Sequence, residues 1–497
     1  MSKCHEHGIQ VYIHEASIED INRDQDQQRK QITLSKANKY PKLKGIHCPD
    51  KNALVQRYGV IKKDNDHVDV RLLHAIEIKV AGFLVTEDIG LKERAEKCGL
   101  DDRVLNVIEA LSWLRQTYEP LKIKLPHIQH LGCHQLDVNQ PIFTSLKNDY
   151  NEFENWFKNN CIPNHRDCWT VTLDNTIVAI AIWKDETGSD LNGTIVEDNN
   201  PAENKDKVFK ICTFKVDDAY RGSKIGEHLL KQALWHAYEN KYDWIYLTTF
   251  PDKQPFLINF LKGFGFESCG KNNRSEEVLV KRVIHTDVPL NGLAPVAYHK
   301  KYYPVFLDNG GIQKFMIPIE PKFHLKLFPE YSPASQPLLF QPEQVTSIQN
   351  EVSGNTIRKV YLCRAQVKKM KQGDIALFYM SKNDNFLYSQ SVTVVGVIDG
   401  YIECSSLEEL QAATAKRSVY SYDDMRILLE SSSSPIKVID FMIAGHITGI
   451  NDTPPPDLNR LTSNGILNGQ PQSITEIDDS RYSKLKSMIQ ITRSANA

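Results

Sequence analysis

Residues 208–240 read VFKICTFKVDDAYRGSKIGEHLLKQALWHAYEN, and the fold turns on how this stretch divides. Phe209 to Val216 is dense in β-branched and aromatic residues, the composition of a buried strand. Tyr220-Arg221-Gly222-Ser223-Lys224-Ile225-Gly226 follows, with two glycines and two cations. Leu229, Leu230, Ala233, Leu234 and Ala237 then recur at helical spacing and make one apolar stripe. The order is strand, glycine-containing turn, helix. The first N–H groups of such a helix have no partner within it, and the helix dipole places partial positive charge at the same end. Arg221 and Lys224 add full charges, so the turn suits a phosphate group.

The pattern continues in both directions. Trp244–Thr249 reads as the next strand, Gln254–Gly263 as a helix, and Glu277–Lys281 as a further strand. Upstream, Trp169–Leu173 and Ile177–Trp183 read as a hairpin, and the polar, Asn- and Asp-rich insert 185–207 as a mobile surface loop. Taken together, residues 141–285 resemble the GNAT acetyltransferases, whose first motif is [QR]-x-x-G-x-[GA] between a strand and a helix. Arg221 and Gly226 match its ends, and Lys224 stands where the family has a glycine. Phe264-Gly265-Phe266 resembles the family's "GF" after the next helix.

The resemblance implies a mixed sheet with helices, binding acetyl-CoA and passing its acetyl group to an amine. Arg221, Gly222, Ser223, Lys224, Ile225 and Gly226 would hold the pyrophosphate, and the edge of Phe214, Lys215 and Val216 the pantetheine. Gln254 aligns with an asparagine common at the start of the family's later helix, and Leu261 with its usual proton-donating tyrosine. Tyr246 and Tyr242 are candidate replacements for that tyrosine, or packed aromatics.

In residues 1–120, Asp69 opens a helix, and Phe83–Thr86 reads as a strand ending at Glu87-Asp88. This region resembles the later part of a PIN domain, the α/β fold of metal-dependent ribonucleases. The resemblance implies Asp20, Asp69 and Asp88 as ligands of Mg²⁺ or Mn²⁺. All three also read as helix-capping residues. The family's first strand, ending in Asp, does not precede Cys4, so the reading expects either a start assigned too late or a lost ligand.

From residue 301 to 490 short β-rich runs dominate. Gln372-Gly373-Asp374 before a strong strand, and Gly396-Val397-Ile398 in the next, resemble the PUA-like (ASCH and EVE) β-barrels. That resemblance implies RNA binding through Lys368, Lys369 and Lys371 with a base stacked on Tyr379; a solvated basic turn is the plainer reading. Residues 121–140 and 286–300 read as linkers. His127, His130 and His134 with Cys133 fit no common metal spacing.

The expected architecture is therefore multidomain, α/β and α+β. The 497 residues carry a formal charge of −2, which excludes nucleic-acid binding by bulk charge. Ten cysteines without a zinc or CxxC spacing, no signal peptide and no long apolar run point to a cytoplasmic protein with free thiols, not a membrane protein. The runner-up functions are a metal-dependent ribonuclease and a non-catalytic module binding CoA or RNA.

Overall fold

The computed structural model describes residues 2–118, 128–173, 175–196, 200–220, 224–286, 288–290, 292–331, 356–367, 370–383, 388–415, 417 and 419–493. It divides into two units. The first comprises Met1–Leu121 together with Glu403–Val438; the second comprises Lys122–Ile402 and Ile439–Ala497.

The first unit is mostly helical. Its helices are α1 (Ser2–Glu6), α2 (Glu15–Arg23), α3 (Gln27–Ala37), α4 (Lys51–Tyr58), α5 (Asp64–Glu77), α6 (Ile89–Lys97) and α7 (Val107–Tyr118). Strands β1 (Ile13–His14) and β2 (Lys42–Leu43) form one parallel pair, and β3 (Leu84–Val85) and β4 (Val104–Leu105) another. Leu54, Val70, Leu73, Leu91, Ala95 and Val104 make its core. Helices Leu407–Thr414 and Tyr422–Glu430 group with this unit, although they fall within the 301–490 span read as one domain.

Two seven-stranded sheets build the second unit. The first sheet contains β5 (Ile128–Gly132), β6 (Asp167–Leu173), β7 (Thr176–Thr187), β8 (Lys207–Val216), β9 (Trp244–Thr249), β10 (Glu267–Lys271) and β11 (Glu277–Arg282). Their spatial order is β10-β11-β9-β8-β7-β6-β5. Helices α8 (Ile142–Asp149) and α9 (Phe153–Trp156) pack with Ile180 and Ile182 of β7. Helix α10 (Gly188–Thr194) follows β7, α11 (Ile225–Glu239) follows β8, and α12 (Pro255–Lys262) follows β9.

The described residues of three connecting segments form more regular structure than their composition implies. The span 121–140 contributes β5, which pairs antiparallel with β6 as the sheet's edge. Only Ile128 of β5 is buried, so no alternation announces the strand. The insert 185–207 extends β7 to Thr187 and then forms α10. Leu191, Ile195 and Ala202 from this insert pack on Val208 and Tyr246, a burial that holds the segment down; residues 197–199 lie outside the described ones. The span 286–300 leads into α13 (Pro295–Tyr302), where Pro295 sits in the first turn, which tolerates its missing N–H. Tyr298 and His299 of α13 are fully buried.

The second sheet contains β12 (Lys314–Ile319), β13 (Arg358–Cys363), β14 (Ile375–Met380), β15 (Val392–Cys404), β16 (Ile436–Gly449), β17 (Thr475–Ile477) and β18 (Ile489–Thr492). Its order is β13-β16-β15-β14-β12-β17, with β18 on β16. Among the described residues β13 and β17 remain separate edges, so this is an open sheet and not the closed barrel expected. The Gly373-Asp374 turn has a local cause. Gly373 takes φ +89°, and a Cβ there would sit 2.7 Å from Cβ of Pro295 in α13. Asp374 accepts from the N–H groups of Lys371 and Gln313 and so closes the turn.

Candidate active site

The central feature is a parting of two strands. β8 and β9 run parallel but pair at only three positions, Val208 with Trp244, Phe209 with Ile245 and Lys210 with Tyr246. Beyond Lys210, β8 keeps its partner on the other edge, staying paired with β7 as far as Val216. The cause lies at Cys212. Trp183 pairs with Ile211 and Ile182 with Thr213, so Cys212 is an extra residue in the strand. Such a bulge bends the strand and increases its twist. Among the described residues the edge of Ile211–Val216 that faces β9 thus has no strand partner, and Phe214, Lys215 and Val216 lie along it.

At the open end of β8 the chain turns through Asp218–Tyr220 into α11. Arg221, Gly222 and Ser223 lie outside the described residues. Lys224 has φ +68° and ψ 2°, the left-handed region. Glycine reaches that region without steric cost, which accounts for a glycine preference at this position; lysine holds it at a penalty of about 1 kcal/mol. Lys224 supplies no side-chain cap to the first-turn N–H groups of α11. A Cβ on Gly226 would meet Val216 Cγ2 at 3.5 Å, an ordinary contact. Gln254 precedes α12 and likewise gives it no side-chain cap.

Both candidate tyrosines are tied to carboxylates. Tyr246 is fully buried, donates its hydroxyl to Glu186, and lies 3.3 Å from Thr194 Oγ1. Burial and the Glu186 charge both raise its pKa. Lys184 and Lys210 reach the same carboxylate at 2.5 and 3.4 Å. Tyr242 donates to Asp185, and burial followed by that contact raises its pKa too. Tyr242 precedes β9 at the closed end of the β8–β9 pair, so it does not stand at the opening. Cys212 does, and burial pushes its thiol up to about 11.

Sequence reading passed over a group on the opposite lip. Thr248 donates to Glu276 Oε2 at 3.0 Å, and Asn272 Nδ2 donates to the same oxygen at 2.5 Å. One signal was present. Glu276 is in step with Val278 and Val280, which are buried on β11, so a carboxylate continues an apolar face.

The other candidates are placed differently. Asp88 caps α6 by accepting from Leu91 N at 2.9 Å, as its alternative reading held. Asp20 pairs with Arg23 at 3.4 Å. Burial, and then the charge of Asp88, push Asp69 up to about 6, with Arg94 opposing and Asp66 and Asp20 adding. Among the described residues no group of three or more His, Cys, Asp or Glu side chains is gathered to hold a metal ion. Tyr379 is fully buried in the core of the second sheet, so its ring offers no face to a base; every residue of β14 is buried, so both faces of the strand are covered. Lys371 is exposed, and Lys368 and Lys369 lie outside the described residues. No described helix is long and apolar enough to cross a membrane.

The sequence profile of the Acetyltransferase (GNAT) family matches residues 133–266, from the residue after β5 through Phe264-Gly265-Phe266. Among solved structures, ASCH from Zymomonas mobilis aligns at 14% identity, covering 36% of this chain and 97% of that one, with a TM-score of 0.25. The Bacillus subtilis N-acetyltransferase YlbP, in complex with coenzyme A, aligns at 14% identity over 31% and 96%, with a TM-score of 0.21. Arabidopsis thaliana Naa50, in complex with a bisubstrate analogue, aligns at 22% identity over 23% and 71%, with a TM-score of 0.18. No curated protein matches the chain.

Proposed function

We propose that the chain is an acyl-CoA-dependent N-acetyltransferase that passes an acetyl group from acetyl-CoA to an amine. The observation that carries this is the parting of β8 from β9 after Lys210, beside the start of α11, to which Lys224 gives no side-chain cap. The match of residues 133–266 to the acetyltransferase profile supports it.

The residues fit the donor. The edge of Phe214, Lys215 and Val216 that faces β9, which no described strand pairs, offers donors and acceptors to an arm that contains amides. The turn Arg221–Gly226 brings cations and helix N–H groups to a pyrophosphate. Acetyl-CoA supplies an activated acyl group, and the chain's main contribution is to hold it beside the amine; such positioning is worth roughly 7–11 kcal/mol in well-aligned systems. Tyr246, tied to Glu186, keeps its proton and fixes the closed end of the opening. Isothermal titration of acetyl-CoA into the full chain tests the reading. Binding that a CoA-free control such as ADP does not reproduce is expected; absence of binding removes the proposal.

A further inference from the structure

We infer that Arg358, at the start of β13 in the second sheet, positions the acetyl-CoA site of the first, so that both sheets complete the site. This rests on the acetyltransferase reading. It adds a positioning residue outside residues 133–266, the stretch that matches the acetyltransferase profile.

Helix α11 is buried along two lines. Leu229, Leu230, Ala233, Leu234 and Ala237 form the apolar stripe. Glu227, Lys231, Trp235 and Tyr238 form a second line, at i, i+4, i+8 and i+11. A helix line with two charges ordinarily faces water. Here Glu227 is 8%, Lys231 0% and Trp235 1% exposed. Residues of the second sheet cover it. The backbone N–H of Arg358 donates to Glu227 Oε1 at 2.8 Å. His446 of β16 meets Trp235 edge-on, and the guanidinium of Arg493, which follows β18, lies 4.3 Å from the centre of the Tyr238 ring.

The line matters because of where it begins. Glu227 is the third residue of α11 and directly follows Gly226, the end of the turn assigned to the pyrophosphate. A glutamate at this position can fold back and bond the start of its own helix. A carboxylate placed there would compete with the pyrophosphate and repel it. The bond from Arg358 commits Glu227 Oε1 to the second sheet instead.

The Arg358 side chain reaches the other lip. Its Nη2 donates to the carbonyl of Gly263 at 2.8 Å, and its guanidinium carbon lies 4.8 Å from the centre of the Phe264 ring. Gly263 caps the C-terminus of α12, where carbonyls lack partners within the helix and a cation is favoured. α11 follows β8 and α12 follows β9, so one residue ties together the helices that follow the two parting strands. Apolar burial has no preferred direction and leaves a helix free to shift along its axis; hydrogen bonds of set length and angle remove that freedom. A binding constellation works only within about 0.5 Å of its best geometry, so the brace acts on affinity.

The test is isothermal titration of acetyl-CoA into the full chain and its variants, well below their unfolding temperatures. Glu227→Ala removes the bond to the Arg358 N–H, and Arg358→Ala the bond to Gly263. Each should weaken binding about tenfold, inside the roughly 5–150-fold range of coupling between separate sites. Glu227→Gln keeps the acceptor oxygen and Arg358→Lys keeps a cationic donor, so both should stay within about threefold of the parent. Tyr482→Phe is the control for stability alone. Tyr482, in the core of the second sheet, donates to Asp308 at 3.1 Å. Its variant should lower the unfolding temperature and leave acetyl-CoA affinity unchanged. Should Arg358→Ala fail to fold, Arg358→Met takes its place with the same expected loss, because it keeps an aliphatic stem over Phe264 and lacks the donor. Alanine or methionine variants that bind like the parent, conservative variants that restore nothing, or an equal loss in Tyr482→Phe would each overturn the assignment while leaving the acetyltransferase reading standing. A parent that does not bind acetyl-CoA removes both.

Discussion

Glu227 Oε1 accepts a hydrogen bond from the backbone N–H of Arg358 at 2.8 Å. Glu227 lies in the first turn of α11, directly after the turn assigned to the pyrophosphate, and Arg358 is the first residue of β13 in the second sheet. The Arg358 guanidinium also donates to the carbonyl of Gly263 at the end of α12, at 2.8 Å, and lies 4.8 Å from the centre of the Phe264 ring. One residue of the second sheet therefore braces both helices that follow the two lips of the opening. The contact continues along α11. Trp235 is 1% exposed, donates to Tyr303 at 2.8 Å, and meets His446 edge-on. The helix is buried on the face that would otherwise meet water.

It follows that the two sheets of the second unit should unfold together. Trp235→Ala should destabilise the unit by about 3–5 kcal/mol, the usual cost of emptying a buried tryptophan site. Tyr303→Phe should cost about 1–3 kcal/mol by leaving the indole N–H unpaired. Urea unfolding read by near-ultraviolet circular dichroism should show a single transition for both sheets in each variant. Separate transitions would mean that the sheets are independent.

Lys224 gives a second expectation. Its left-handed backbone favours glycine and penalises β-branched residues most. Lys224→Val should therefore lower stability by ~1–2 kcal/mol and weaken acetyl-CoA binding, whereas Lys224→Gly should keep the fold and lose affinity only through the missing cation. Thermal unfolding and titration on both variants check the order. A valine variant as stable as the parent would contradict the backbone argument.

The Asp69 carboxyl supplies a pH dependence. Its pKa rises from 3.8 to about 6 on folding, so the folded chain holds more protons than the unfolded chain across that interval. Stability contributed by this group is present at low pH and is lost as pH rises through about 4 to 6. Because Asp69 is only partly buried, the expected size is roughly 1–2 kcal/mol. Asp69→Asn should slow amide exchange in α5 at neutral pH and leave it unchanged below the interval. Faster exchange at neutral pH would show that the ionised carboxylate is doing favourable work there, as a ligand or an ion-pair partner.

Much of the first sheet was legible because its central strands are largely buried and rich in β-branched and aromatic residues. Ile177–Trp183, Phe209–Val216, Trp244–Thr249 and Glu277–Lys281 each read as a strand and each is one. The turn into α11 was legible from its glycines and its apolar stripe. What escaped depends on tertiary contact. β5 is an edge strand with one buried residue, and α10 and α13 are short helices held by packing on distant residues. Tyr379 and Glu276 show the same limit from opposite sides. An aromatic in a strand and a carboxylate beside a strand have no readable orientation until register is set, and register buried both. The bulge at Cys212, which opens the site, leaves no mark in composition at all.

On the proposed function, the turn between β8 and α11 holds the pyrophosphate of acetyl-CoA. Gly226→Glu places a carboxylate in the first turn of α11, where the backbone has room for a side chain but the pyrophosphate would meet a negative charge. The decisive measurement is isothermal titration of acetyl-CoA into the full-length parent, Gly226→Glu, and Asp88→Ala as a control in the other unit. The expected result is binding by the parent and by Asp88→Ala with equal affinity, and a loss of about 100-fold or more, near 3 kcal/mol, in Gly226→Glu. Equal binding by all three, or no binding by the parent, would contradict the account.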